Sequence, residues 1–272
     1  MMNKVKFRYF EDKTKPHVIC DTNVWYYIVQ GKFNKPNDIL LIPTSLSLAE
    51  LATSEAMAYE LKLYQDVLKA VHEKGGPILP IDPFDFVLHN HDPNYPLNND
   101  IVKNILSDFT EVLRRDIPQE AELKEETKEK IIKSCQERRG ATGEFADFGT
   151  DKLNDIRKSI NTGVGKKEHL KVDPYVINKE MLKAFLNEHV KDLDYEIDFN
   201  KFDWNRIELF MTVTENFLKK LETTRDMKVH PNDAVDWLNM LYVTPDDMYL
   251  TFEKSWRGYI ENDDRIKHYL YK

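Results

Sequence analysis

Five carboxylates stand beside short apolar runs in this chain, and their placement suggests a chemistry. Asp21 closes HVICD (17–21), Glu50 follows DILLIP (38–43) by a few residues, and Glu253 comes directly after MYLT (248–251). Asp233 and Asp236 precede that last run, three residues apart, the spacing that puts two side chains on one helix face. In parallel α/β sheets the working groups gather at the carboxyl ends of the strands. Carboxylates brought together at such an edge repel one another unless cations neutralise them, and hard oxygen donors select Mg²⁺ or Mn²⁺. A centre of this kind supports hydrolysis of a phosphodiester: bound metal activates a water and offsets charge on the pentacovalent transition state, so no side-chain nucleophile is needed.

The elements that must position these groups follow from the hydrophobic pattern. Residues 17–21 and 38–43 read as buried strands, the first leading into a helix from Val24 to Gln30 that Gly31 can close. Apolar residues at three- and four-residue steps predict helix over 44–74, and GGPILPID (75–82) a turn into a third short strand. This alternation is that of a parallel sheet with covering helices. It then stops: 83–99 is a loop rich in Pro, Asn and His, followed by helical patterns at 99–117, about 119–138, about 151–161, 178–192 and 203–222. A helix over 231–243 and a strand at 248–251 resume it. The expected plan is an α/β domain made of 1–82 and 225–272, with an all-helical insertion at 83–224.

Composition sets bounds on partners. Over 272 residues, 41% are hydrophobic and 32% charged, as in folded globular chains. The longest apolar stretch, Val24 to Val29, is far too short to cross a membrane, and the basic N-terminus lacks the apolar segment of a secretory signal. Two cysteines, Cys20 and Cys135, make neither a disulfide framework nor a metal set. A soluble cytoplasmic protein is expected. The net charge of −8 means that a polyanion has to be held by metal or by local basic patches. Arg114-Arg115, Arg138-Arg139, Lys166-Lys167 with Lys171, and Lys219-Lys220 are the candidates for phosphate contacts, with Tyr95 and Trp204 as candidate stacking residues.

VICDTNVW, PTSLSLAEL, NDAVDWLNMLYV and DDMYLTFEK together resemble the four acidic motifs of the PIN domain family, metal-dependent ribonucleases. The resemblance covers about 15–80 and 225–257 and leaves out the helical insertion. It implies a Rossmann-like, three-layer parallel-sheet fold and an endoribonuclease using Mg²⁺ or Mn²⁺. In it Asp21, Glu50 and Asp236 are the acids that hold metal, Asp233 is the alternative third acid, and Glu253 is the fourth, orienting water or a second ion. Asn23 and Thr251 support this shell. One departure stands out: the family's last motif has Thr-x-Asp where this chain has Thr-x-Glu. A bacterial toxin or defence role, with RNA as substrate and a protein inhibitor or a second copy of the chain as partner, is what the resemblance further implies.

Other readings compete. Asp21 has a structural use at a helix N-terminus, although Thr22 is the better capping residue, and Ser47 to Glu50 fits a capping box. Asp233 suits a helix start after Pro231. A nuclease fold that binds RNA or protein without turnover is the first functional alternative. The second is a His-based metal hydrolase using His89 and His91 of HNHD, whose alternation in a strand puts both imidazoles on one side. NTGVGKK (161–167) lacks the first Gly and the final Ser or Thr of a phosphate-binding loop, and DFG (147–149) has no accompanying kinase motifs.

Overall fold

The computed structural model describes residues 14–52, 54–97, 123–136, 151, 173–224 and 231–272. Its centre is a small parallel sheet flanked by helices. β1 (His17–Cys20) is buried along its whole length and lies between β2 (Leu40–Pro43) and β3 (Met248–Leu250), in the order β2-β1-β3. The register pairs Ile19 with Ile42 and Tyr249, and Cys20 with Pro43 and Leu250. Because side chains alternate along a strand, these rows serve opposite faces. Val18, Cys20, Leu41 and Leu250 pack with Trp25, Val67 and Leu68 on one side; Ile19, Ile42 and Tyr249 pack with Phe210, Trp237 and Leu241 on the other.

α1 (Thr22–Val29) leaves the end of β1 and stops at a Schellman turn, with Gly31 N–H donating to Ile28 O (3.1 Å) and Lys32 N–H to Tyr27 O (2.9 Å). Gly31 carries the positive φ, 67°, that this turn requires. After β2 the expected long helix divides into α2 (Ser45–Ala52), α3 (Ala56–Tyr59) and α4 (Leu61–Lys74). The break lets Leu48 and Leu51 of α2 and Val67, Leu68 and Val71 of α4 reach the same cluster.

Two expectations fail for reasons visible in the sequence. GGPILPID forms no strand; only isolated parallel bridges, Leu41 to Gly75 and Thr44 to Leu79, extend the sheet, because Pro77 and Pro80 have no N–H to give a ladder. The segment read as a loop from 83 opens with α5 (Pro83–His91). Asp82 caps it, its Oδ1 accepting from Phe84 N–H at 2.8 Å, and Pro83 occupies the first turn. The same Asp-Pro start opens α6 (Pro174–Val190), four residues ahead of the expected 178.

α7 (Glu208–Thr223) is preceded by a 3-10 turn, Trp204–Ile207, where helix was expected from 203. α8 (Pro231–Asn239) ends in a second, Met240–Tyr242, and α9 (Lys254–Glu261) follows β3. Asn178 of α6 donates to Met211 O (3.0 Å), and Trp237 of α8 donates to Thr214 of α7. His189 near the end of α6 hydrogen-bonds Asp85 of α5 at 2.7 Å. Burial pulls its imidazole down, but that bond and the charges of Asp82 and Asp85 outweigh burial and hold it above the ordinary value. Ile19 and Ile42 share one hydrophobic cluster with Phe84, Phe185 and Phe210, so residues on both sides of 82/83 and 224/225 belong to a single core. With helices on both faces of the sheet, the architecture is α/β and compatible with three layers.

The expected helix at 99–117 and the 147–149 and 161–167 motifs lie outside the described residues, as do the basic groups at 114–115, 138–139 and 166–171. The helix expected at about 119–138 is described over 125–136, and the one at about 151–161 only at residue 151. Lys219 pairs with Glu215, and Lys220 lies 5.1 Å from the Tyr259 ring. Tyr95 is buried, its hydroxyl donating to Asp85 at 2.6 Å, and Trp204 packs on Phe202 with Lys179 over its ring. Both are packing residues in this fold, not open stacking platforms. Among the described residues no helix is long and apolar enough to cross a membrane.

Replacing Gly31 by Ala puts a Cβ into the left-handed region and is expected to lower stability by about 1 kcal/mol, read from the urea midpoint. An unchanged midpoint would show that this turn does not need its positive φ.

Candidate carboxylate centre

All three parallel strands end on one edge, where the acids collect. Asp21 is placed there by the sheet itself, since its N–H donates to Leu250 O (3.0 Å) and so continues the β1–β3 ladder by one residue. Its extended backbone makes it the N-cap of α1, with Oδ1 accepting from Thr22 N–H at 2.6 Å. Oδ2 accepts from Asn23 Nδ2 (2.7 Å) and from Thr251 Oγ1 (2.8 Å). Asn23 is held in turn, its Oδ1 accepting from Phe252 N–H at 3.3 Å. The cap is therefore Asp21 and not Thr22, contrary to the sequence expectation.

That exchange leaves the Thr22 hydroxyl available, and it donates to Glu50 Oε2 at 2.5 Å. Glu50 is likewise released from the capping role. The box at the start of α2 is made by Thr44 and Ser47, with Ser47 N–H donating to Thr44 Oγ1 (3.2 Å) and Thr44 N–H to Ser47 Oγ (3.3 Å). Glu50 sits a turn too far along to take part, and faces the site.

Asp236 approaches from α8. Carboxylate oxygens of Asp21, Glu50 and Asp236 all lie within 4.8 Å of one another. Ligands on opposite sides of a Mg²⁺ ion at about 2.1 Å are about 4.2 Å apart, so the three fit a shared hard cation after small side-chain rotations. Asp233, one turn earlier on α8, is not in this group; its charge acts instead on Tyr259, whose hydroxyl burial and Asp233 push up to about 12. Glu253 is exposed, its N–H donating to Thr251 Oγ1 and its Oε1 accepting from Ser255. It also stands outside the group, but close enough for its charge to act on Asp236.

The electrostatics follow from this crowding. Burial, then the charges of Asp21 and Glu50, push Asp236 up to about 9, so without a cation it keeps its proton and shares it in a hydrogen bond with Asp21. Asp21 is also raised, burial outweighing the donors from Thr251, Thr22 and Asn23.

Asn239 was not anticipated. Buried one turn after Asp236, it donates from Nδ2 to Cys20 O (3.3 Å) and accepts from Thr44 Oγ1 (2.7 Å), joining the ends of β1 and β2. Its signal was an amide three residues after an acid in an apolar helix, DWLN. The HNHD expectation is overturned: His89 and His91 lie in α5 and not in a strand, so their side chains diverge by about 200° around the axis. His91 packs tilted against Phe202, with ring centroids 4.9 Å apart.

The raised Asp236 has a measurable consequence. A carboxyl whose folded pKa exceeds its unfolded value of about 3.9 stabilises while protonated, and that contribution is lost as pH rises toward the folded value. With chelator present, Asp236→Asn is therefore expected to melt above wild type near pH 8, with the gap closing toward about pH 4. Mn²⁺ is expected to reverse the order by stabilising only the chain with its full ligand set. Differential scanning fluorimetry checks both, and equal Mn²⁺ shifts in the two proteins would count against a shared ion.

Comparison with known proteins finds no match among family models, curated proteins or solved structures, so what the centre does has to be argued from its own geometry.

Proposed function

We propose that this chain is a metal-dependent nuclease hydrolysing RNA phosphodiester bonds, with Asp21, Glu50 and Asp236 holding Mg²⁺ or Mn²⁺. The observation that carries the reading is the convergence of three carboxylates from three separate segments, within 4.8 Å of one another, at the carboxyl edge of a parallel sheet. Like charges this close repel one another, and Thr44, Ser47 and Asn239 tie the ends of β1, β2 and α8 together without Glu50 or Asp236. The finer assignment to a PIN-like fold and to RNA rests on the sequence resemblance.

In this reading each residue has a defined task. Asp21 is fixed on both oxygens by Thr22, Asn23 and Thr251, so it supplies a rigid first ligand. Thr22 orients Glu50, and Asp236 would have to lose its proton to serve as a ligand. The bound ion supplies charge neutralisation at phosphorus and lowers the pKa of water. Glu253, exposed at the mouth of the site, orients water or a second ion. On a −8 chain such cations would help to admit a polyanion.

The test is cleavage of single-stranded RNA and DNA by purified protein, with Mn²⁺ or with EDTA. Expected is Mn²⁺-dependent RNA cleavage that falls by about a hundredfold or more in Asp21→Asn and about tenfold in Thr22→Val. Cleavage that survives in EDTA, or in Asp21→Asn, overturns the reading. RNA binding with no cleavage in either protein would identify a binding module that has kept its carboxylates.

A further inference from the structure

A cavity of about 220 Å³ opens between α5, the 201–207 segment and the 3-10 turn after α8. None of the site carboxylates lines it. Its floor consists of Phe86, Val87, Phe202, Ile207 and Leu241, all buried. A fully apolar cavity of about 150 Å³ holds one benzene molecule, whereas this one joins an apolar floor to a polar rim. The space here therefore suits one six-membered ring with a short substituent.

The rim is polar and its charges are unevenly satisfied. Asn90 and His91 border it on α5, opposite Lys201, Asp203 and Arg206. Each of the two permanent cations faces a carboxylate, but at different range. Lys201 is engaged by Asp198 at 2.9 Å. Arg206 is held far more loosely, its Nε 3.8 Å from Asp203 Oδ2, beyond hydrogen-bond range. Asp203 spends its other oxygen on the backbone, Oδ1 accepting from Asn205 N–H at 3.2 Å as the cap of the 3-10 turn. The guanidinium fork is thus left with donors to offer a guest, at the edge of a pocket whose interior wants a ring.

We propose that this cavity binds a small aromatic anion, a ring bearing one carboxylate or phosphate group. The ring lies against Phe202 and Leu241, and the anionic group is taken by Arg206 in the two-pronged geometry that guanidinium favours. Asn90 gives the guest a neutral hydrogen-bonding partner on the opposite rim. Neutral rings lose the Arg206 contact, and cationic rings meet two like charges. The site stands apart from the carboxylate centre, and neither proposal depends on the other.

Titration calorimetry with benzoate, phenyl phosphate, benzyl alcohol and benzylamine tests this on the full chain. The two anions are expected to bind saturably and about tenfold or more above the alcohol and the amine. Comparing benzoate with phenyl phosphate separates the carboxylate from the phosphate form of the guest. Arg206 is exposed, so Arg206→Ala is expected to keep the circular dichroism of wild type while weakening the anions about tenfold. Arg206→Lys, which keeps the charge without the fork, recovers only part of that loss. No saturation by either anion, equal affinity for benzylamine, or an Arg206→Ala protein that binds benzoate as wild type does would each overturn the proposal.

Discussion

Two ionised carboxylates cannot share a dry site without positive charge between them, and the carboxyl edge of this sheet is organised around that constraint. Asp21 and Asp236 meet there on opposite elements, yet their surroundings are unequal. Asp21 is surrounded by donors from Thr22, Asn23 and Thr251, which favour its anion against the cost of burial. Every influence on Asp236 acts the other way: burial, the charges of Asp21, Glu50 and Glu253, and the hydrogen bond to Asp21 all raise it. Both carboxyls are raised, but only Asp21 has donors that offset its burial. If the centre holds a cation as proposed, that cation would take the proton's place and tie metal affinity to pH.

The hydrogen bonds around the acids explain how such a pair survives folding. Asn239 and Ser47 both donate to Cys20 O, and Thr44 donates to Asn239, so β1, β2 and α8 are joined by neutral polar groups. Ser45 and Tyr242 repeat the device a little further out, both donating to Ile81 O. Satisfied buried networks of this kind hold a unique arrangement. Asp21 adds to this by capping α1 and binding Thr251, while the join of β1, β2 and α8 is made by hydroxyls and an amide.

Much of this was legible in the sequence, and the failures have common causes. Buried strands at 17–21, 38–43 and 248–251 announce themselves by unbroken apolar runs, and an acid directly after such a run lands at the sheet edge with few alternatives. Asp21 was readable for that reason, and Glu50 because it lies in the helix that directly follows the second run. Asp236 is preferred to Asp233 by its distance to Thr251, although i and i+3 share a face, and the structure brings Asp236 to Asp21 and Glu50. Thr22 and the Ser47–Glu50 box were misjudged because several neighbouring residues can cap a helix, and which one does depends on the backbone angle at the end of the preceding strand. At 82–83 and 173–174 the Asp-Pro pairs were genuine helix starts, overlooked because proline was taken as a loop signal. At 77 and 80 proline had the opposite effect and removed an expected strand.

The helical layer matters to the carboxylate centre through a single side chain. Trp237 follows Asp236 directly on α8 and faces the other way, stacking on Phe210 of α7 at 4.8 Å and meeting Phe185 of α6 edge-on at 6.3 Å. Its indole N–H donates to Thr214. The depth at which α8 sits on the sheet is thus set by residues from the middle of the chain, and with it the reach of Asp236 toward Asp21. A cavity opened at Phe210 would be felt as a shift of α8, because close-packed interiors pass strain on to their neighbours. The third acid of the centre is positioned by helices that contribute no ligand to it, so the middle of the chain and its two ends have to be read as one device.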